Sequence, residues 1–307
     1  MKWIFIGILA ILSLLWATET YILMPLYRAK AGKHGQWVDV GEGRRIFSYS
    51  KGTGPVTFLV ETGIGSFSGE AKNLVDQLAT LGRVISLDRW GYGLSDAEFS
   101  TISLEQAHQD VLKVLEAHEA THVIYVGHSM GALYARSFQQ HFPSKVRGLV
   151  LLDPVVPDPH HMFFSPRQIR KNRGDRLREL GQLISATLGI SRLWLYMSQA
   201  VDFHEGRRMW EATKSAHHLK TWQQEKDAIY HLSQGINWDE GLENIPIMII
   251  TGTKNPHLAR PRIARHRLLT SQSSNGIHHV RPDFSHRDFL GQEQASILTR
   301  LIKNGML

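Results

Sequence analysis

Apolar residues fall in three patterns along the chain. From Trp3 to Trp16 they run unbroken (WIFIGILAILSLLW), pause over Ala17-Thr18-Glu19-Thr20, and resume from Tyr21 to Tyr27. From Trp37 they come in short segments. Trp37 to Val40 and Arg44 to Tyr49, around a Gly41-Glu42-Gly43 turn, predict a β-hairpin at a sheet edge. Val56–Val60, Val84–Leu87, His122–Val126, Val146–Leu152, Ile245–Ile250 and Ile277–Arg281 predict further strands. Unbroken runs such as VTFLV mark strands covered on both faces, as in a parallel sheet. Between these segments the period becomes helical, over about 70–81, 103–118, 132–141 and 292–302. In the second of these, Leu104, Ala107, Val111, Val114 and Leu115 share one face. Strand followed by helix, repeated, predicts a mostly parallel sheet with helices on both faces.

The third pattern runs from Pro157 to about Glu243, where the strand-helix rhythm stops. This stretch is helical in pattern and rich in aromatic and Met residues, among them Met162, Phe163, Phe164, Trp194, Tyr196, Trp210, Trp222 and Trp238. The chain therefore divides into an N-terminal apolar segment with its basic flank (1–33), a first core part (34–156), a helical insertion (157–243) and a second core part (244–307). The N-terminal segment fits a signal peptide, a membrane anchor or an amphipathic surface helix. Leu15 and Trp16 occupy the places where a signal-peptide cleavage site needs small residues. Trp16, Tyr21 and Tyr27 are spaced as interfacial aromatics, and Arg28, Lys30 and Lys33 follow as a basic flank. The reading adopted is an uncleaved single-pass anchor that puts the protein at a membrane, with neither side assigned to the body. Glu19 is its costly residue unless it lies near the bilayer edge.

Composition narrows the function classes. The 307 residues are enough for one large α/β domain with an insertion. Net charge is +7, from 35 Lys and Arg against 28 Asp and Glu, but the cations are scattered rather than gathered into a stripe. That argues against a nucleic-acid partner. With no cysteine, a disulfide framework, a thiolate metal site and a Cys nucleophile are excluded. Histidines 160 and 161, 217 and 218, and 278 and 279 are adjacent pairs whose side chains diverge in any regular element, so no metal site is expected.

The candidate chemistry centres on Gly127-His128-Ser129-Met130-Gly131, which sits between an apolar strand and a helical pattern. A sharp strand-to-helix turn that pushes Ser129 into a cleft brings backbone against backbone, and glycine is the residue that fits there. With the Gly-rich loop after Val60, the stretch Asp88-Arg89-Trp90-Gly91-Tyr92-Gly93-Leu94-Ser95 and the run Val150-Leu151-Leu152-Asp153, this motif resembles the α/β-hydrolase family. The likeness covers about Trp37 to Asp153 and resumes from Pro246.

That resemblance implies an α/β-hydrolase fold with a helical lid at 157–243, preceded here by a transmembrane helix. It further implies a serine nucleophile, Ser129, and a histidine base in the loop 282–291, which contains His286; His279 is the reserve. The oxyanion donors it implies are the backbone amides of Met130 and Ile64, although Thr62 stands where the family shows His. The family's usual acid position carries Asn255, so Asp153, at the end of the preceding strand, is the expected acid, with Asp158 and Asn255 as alternatives. Asp88 is expected to shape its loop. No cofactor is implied. The expected activity is that of a carboxylic-ester hydrolase on an apolar acyl substrate. An amidase or peptidase, a thioesterase, an acyltransferase, a carbon-carbon bond hydrolase or a non-catalytic binding protein on the same scaffold are the alternatives. A dehalogenase or epoxide hydrolase would need a carboxylate at position 129.

Overall fold

The computed structural model describes residues 2–96, 103–156, 173–190, 216–238, 240–254 and 259–307. An N-terminal helix begins the chain: α1 (Lys2–Thr18) passes through a π-helical segment, Glu19–Leu23, into α2 (Met24–Ala31). The hairpin follows as β1 (Gln36–Gly41) and β2 (Arg44–Lys51), antiparallel and at the sheet edge as expected, with a bulge between Asp39 and Gly41.

Six more strands complete the sheet: β3 (Thr57–Glu61), β4 (Arg83–Leu87), β5 (Val123–His128), β6 (Val146–Leu152), β7 (Ile247–Gly252) and β8 (Gly276–Arg281). The order is β1-β2-β4-β3-β5-β6-β7-β8, and every pair beyond β2–β4 is parallel. Because successive side chains on a strand point to opposite faces, each unbroken apolar run feeds two cores at once. Leu59, Ile85, Tyr125, Leu149 and Ile249 pack with Val111, Val114 and Leu115 of α4 (Leu104–Ala117) and Leu133 and Phe138 of α5 (Met130–His141). Phe58, Val60, Val84, Val126 and Val150 pack on the other face. There they meet Leu74, Val75 and Leu78 of α3 (Lys72–Leu78) and Leu298 and Ile302 of the last helix.

The insertion contributes α6 (Arg173–Thr187) and α7 (Ala216–Gln234). Asp158, His160, His161, Asn255, Met162 and most of the insertion's aromatics, including Phe163, Phe164, Trp194, Tyr196 and Trp210, lie outside the described residues. The sequence pattern missed one helix, α8 (Ala259–Thr270), which packs against β7 and β8 ahead of α9 (Gln292–Met306). Among the described residues no group of three or more His, Cys, Asp or Glu is arranged to hold a metal ion.

Candidate active site

Ser129 sits between β5 and α5 with φ 55° and ψ −113°, a conformation that side chains other than glycine rarely adopt. Both flanking glycines are required by close approach. A Cβ at Gly127 would lie 2.6 Å from the Ala132 backbone, and one at Gly131 would lie 2.7 Å from the Thr62 carbonyl. The turn is pinned by its own backbone: Ser129 N–H donates to Leu152 at 3.0 Å, and its carbonyl accepts from Ala132 and Val155. The strain at position 129 is thus held by the sheet on one side and the helix on the other. Met130 opens α5, so its amide has no intrahelical partner.

The loops after β6 and β8 bring two distant residues to this serine. His286 Nε2 lies 2.9 Å from Ser129 Oγ, and His286 Nδ1 lies 2.6 Å from Asp153 Oδ2. Asp153 is buried, and burial alone would raise its carboxyl. The hydrogen bond from His286 and the Arg262 charge outweigh burial, and hold it below the usual carboxylate range. Arg262, on α8, donates to Asp153 Oδ2 at 2.8 Å and to the Gly252 carbonyl at 2.6 Å, while Gly252 N–H donates to Asp153 Oδ1 at 3.3 Å. Asp153 therefore has both oxygens fixed, as a carboxylate that orients an imidazole should.

Of the other residues singled out, His278 and His279 lie on β8. His278 bonds Thr251 Oγ1 at 2.8 Å, which in turn bonds His266. Asp88 shapes its loop as expected, accepting from the Ser68 and Leu94 amides. Burial pushes it up to about 6 even so.

The loop after β3 passes directly over the nucleophile: a Cβ on Gly63 would lie 3.1 Å from Ser129 Cβ. Arg89 braces this loop, and neither its spacing nor its neighbours in sequence pointed to that role. Its guanidinium donates to the carbonyls of Thr62 at 2.6 Å and Gly63 at 2.9 Å, and pairs with Glu61 of β3 and Glu225 of α7. Tyr92 and Tyr134 also donate to Glu225, and Tyr125 donates to Glu61. Burial pushes Glu61 up, which the Arg89 charge opposes. Burial would lower Arg89, and the Glu225 and Glu61 charges hold it up instead. A second tie joins the insertion to the same loop: His218 of α7 donates to the Gly65 carbonyl and accepts from Gly93 N–H. So α7 is clamped to the loop beside Ser129.

Removing Arg89 leaves two buried carboxylates without their cation. Arg89→Met is therefore expected to lower the unfolding free energy by about 3–5 kcal/mol, read from urea denaturation followed by fluorescence. A loss below about 1 kcal/mol would show that the cluster does not depend on this charge.

Comparison with known proteins bears on the fold. The family model described as alpha/beta hydrolase fold matches residues 56–188. A 2-(acetamidomethylene)succinate hydrolase of Mesorhizobium japonicum is 28% identical over 138 residues, 45% of this chain and 49% of that protein. A carbendazim hydrolyzing esterase of Nocardioides is 40% identical over 57 residues, 19% of this chain and 24% of its own length. The chain spans about half the length of the first curated relatives it matches, 47% and 49%. Among solved structures, an epoxide hydrolase from Vigna radiata superposes with a TM-score of 0.61 at 16% identity, over 89% of this chain and 98% of that one. An esterase from Exiguobacterium antarcticum does so with a TM-score of 0.59 at 18% identity, over 88% and 99%.

Proposed function

The chain has the α/β-hydrolase fold, and from that premise we propose that it is a serine hydrolase cleaving a carboxylic ester of an apolar acyl group. A serine hydroxyl is a weak nucleophile at neutral pH and needs a base in hydrogen-bond reach, itself oriented by a third group. The observation that carries the reading is the line Ser129 Oγ, His286, Asp153, with separations of 2.9 and 2.6 Å. In the proposed mechanism His286 Nε2 takes the Ser129 proton as Oγ attacks the ester carbonyl. The amides of Met130 and Ile64 receive the oxyanion. His286 then returns the proton to the leaving alcohol, and water, deprotonated by the same imidazole, clears the acyl-enzyme. Asp153 holds His286 throughout and stabilises the imidazolium.

The epoxide hydrolase among the structural neighbours shares the scaffold, but position 129 here is a serine, which favours acyl transfer. We take residues 157–243 as the lid between the two core parts, 34–156 and 244–307, and residues 1–33 as the anchor with its basic flank. Trp3–Leu23 is a 21-residue apolar helix, about 31 Å long and sufficient to cross a bilayer. Arg28 supports its retention, donating to the Leu94 carbonyl at 2.8 Å and pairing with Asp96 at 2.7 Å, so the flank is fastened to the body.

A fluorophosphonate probe tests the reading. Full-length wild type is expected to label covalently at Ser129, and Ser129→Ala is expected to stay unlabelled. Wild-type protein that is folded by circular dichroism yet unlabelled would reject the proposal in favour of a binding role.

A further inference from the structure

Helix α6 is built inside out. On the side facing the body, Glu179 pairs with Lys226 of α7 at 3.1 Å and is only 12% exposed, and Ala186 is buried. On the side facing away, Leu177, Leu180 and Ile184 are 64%, 52% and 50% exposed. Their spacing puts these three on one stripe, and exposed Arg176 and Arg178 border it on either side. In water this is the reverse of a surface helix. It is the pattern of a helix lying in a membrane surface, apolar face down and cations toward the headgroups.

The neighbouring element says what covers the stripe. Gly189, two residues past α6, lies against Glu19, so that a Cβ there would be 3.6 Å from the Cβ of Glu19. Glu19 falls near the end of the apolar helix Trp3–Leu23, whose side chains are exposed along their length. Trp16 and Tyr21, edge to face at 5.8 Å, bracket Glu19 where a span leaves the hydrocarbon. The exposed stripe of α6 and exposed Ile190 thus continue the surface of a helix that itself needs lipid.

From this we infer that α6 rests on the bilayer in which the N-terminal helix is inserted, and that the substrate is an ester dissolved in that bilayer. A chain of contacts connects the two sites: Glu179 pairs with Lys226, Lys226 Nζ stands 5.0 Å over the Trp222 ring, and Trp222 packs on Gly65 of the loop beside Ser129. The lid helix on the membrane is therefore one helix away from the nucleophile. The substrate assignment, though not the docking of α6, rests on Ser129 acting as that nucleophile.

The absence of cysteine makes a direct test clean. Leu180→Cys, Ile184→Cys and, as control, exposed Glu116→Cys on α4 each receive a nitrobenzoxadiazole label in the full-length protein. The proteins are reconstituted into vesicles of 7:3 phosphatidylcholine to phosphatidylglycerol, with and without doxyl-labelled lipid. Labels at 180 and 184 are expected to shift to the blue and be quenched by doxyl lipid, and the label at 116 is not. Quenching at 180 and 184 no greater than at 116 overturns the inference.

Leu180→Asp/Ile184→Asp supplies a second readout. Its turnover of a long-chain p-nitrophenyl ester dissolved in the vesicles is expected to fall about tenfold, with that of soluble p-nitrophenyl acetate unchanged. Equal effects on the two substrates count against it. Fluorophosphonate labelling of the same samples separates the claims: quenching without labelling keeps the docking and rejects the nucleophile, and labelling without quenching does the reverse.

Discussion

Asp153→Asn is expected to lower kcat about 10⁴-fold and to leave the fold in place. In the proposed mechanism the carboxylate, 2.6 Å from His286 Nδ1, keeps the proton there, so that Nε2 presents its lone pair to Ser129. An amide can turn its N–H toward Nδ1, which moves the imidazole proton to Nε2 and removes the base. Neutral Asn also stabilises no imidazolium. Because Asp153 is held below the usual carboxylate range, it is the anion throughout ordinary assay conditions, so the loss is expected at every pH from about 5 upward. Arg262→Gln provides the contrast: it removes one partner of Asp153 Oδ2 but leaves the His286 contact, and so costs far less. Progress curves for p-nitrophenyl esters of rising acyl length measure both variants. An Asp153→Asn enzyme that keeps more than a tenth of the wild-type rate would move the acid to another residue.

That prediction depends on a choice the sequence could frame but not close. The strands and the turn were legible because their causes are local: Phe58–Val60 and Leu149–Leu152 put apolar residues on both faces, and Gly127 and Gly131 stand where the turn leaves no room for a Cβ. The position of His286 came from the resemblance, which implies a base in the loop between the last strand and the last helix. Asp153 and Asn255 could both follow a strand end, and only coordinates measure which side chain reaches the imidazole; Asp153 does, and Asn255 lies outside the described residues.

What stayed hidden is nonlocal. Glu225 is 136 residues from Arg89, and nothing in either segment foretells that they meet beneath the loop at 62–65. Helix α8, ARPRIARHRLLT, has no apolar stripe: of its buried residues Leu269 is apolar, whereas His266 and Thr270 are polar and Arg262 faces Asp153. Helix α6 carries its leucines outward, so a rule that assigns apolar residues to the protein core misreads it. His218, one of the adjacent pairs, is packed as that reading allowed, but its two hydrogen bonds to separate loops were not visible in its spacing.

Acid is expected to unfold this protein near pH 5, above the range in which an ordinary carboxylate protonates. Five buried histidines are kept neutral by the fold. Burial pushes His108, His118, His128 and His266 down to about 4 and His218 to about 3, from an ordinary value of 6.5. In the unfolded chain each takes up a proton near pH 6.5, and in the folded protein none does until far lower. The stability they allow is therefore complete above about pH 6.5 and drains away as pH falls toward 4. At pH 5 each costs about 2 kcal/mol and the five together about 10 kcal/mol, comparable to the whole stability of an ordinary domain. Asp88 acts in the opposite sense, as do Glu61, Glu70 and Asp110, which burial also raises. Burial raises Asp88 to about 6, so the folded state binds its proton first and recovers about 1 kcal/mol at pH 5. Even half the histidine effect exceeds the Asp88 contribution. Urea midpoints measured from pH 7.5 to 4.5 should hold steady to about pH 6.5 and then fall steeply, with the slope reporting several protons taken up on unfolding. His118→Gln, which removes one of the five while offering Ser48 and Gln36 an amide in place of the ring nitrogen, should lower that slope by nearly one proton. A midpoint that stays flat down to pH 4.5 would mean that these rings are already charged in the folded protein, and that the burial assigned to them is wrong.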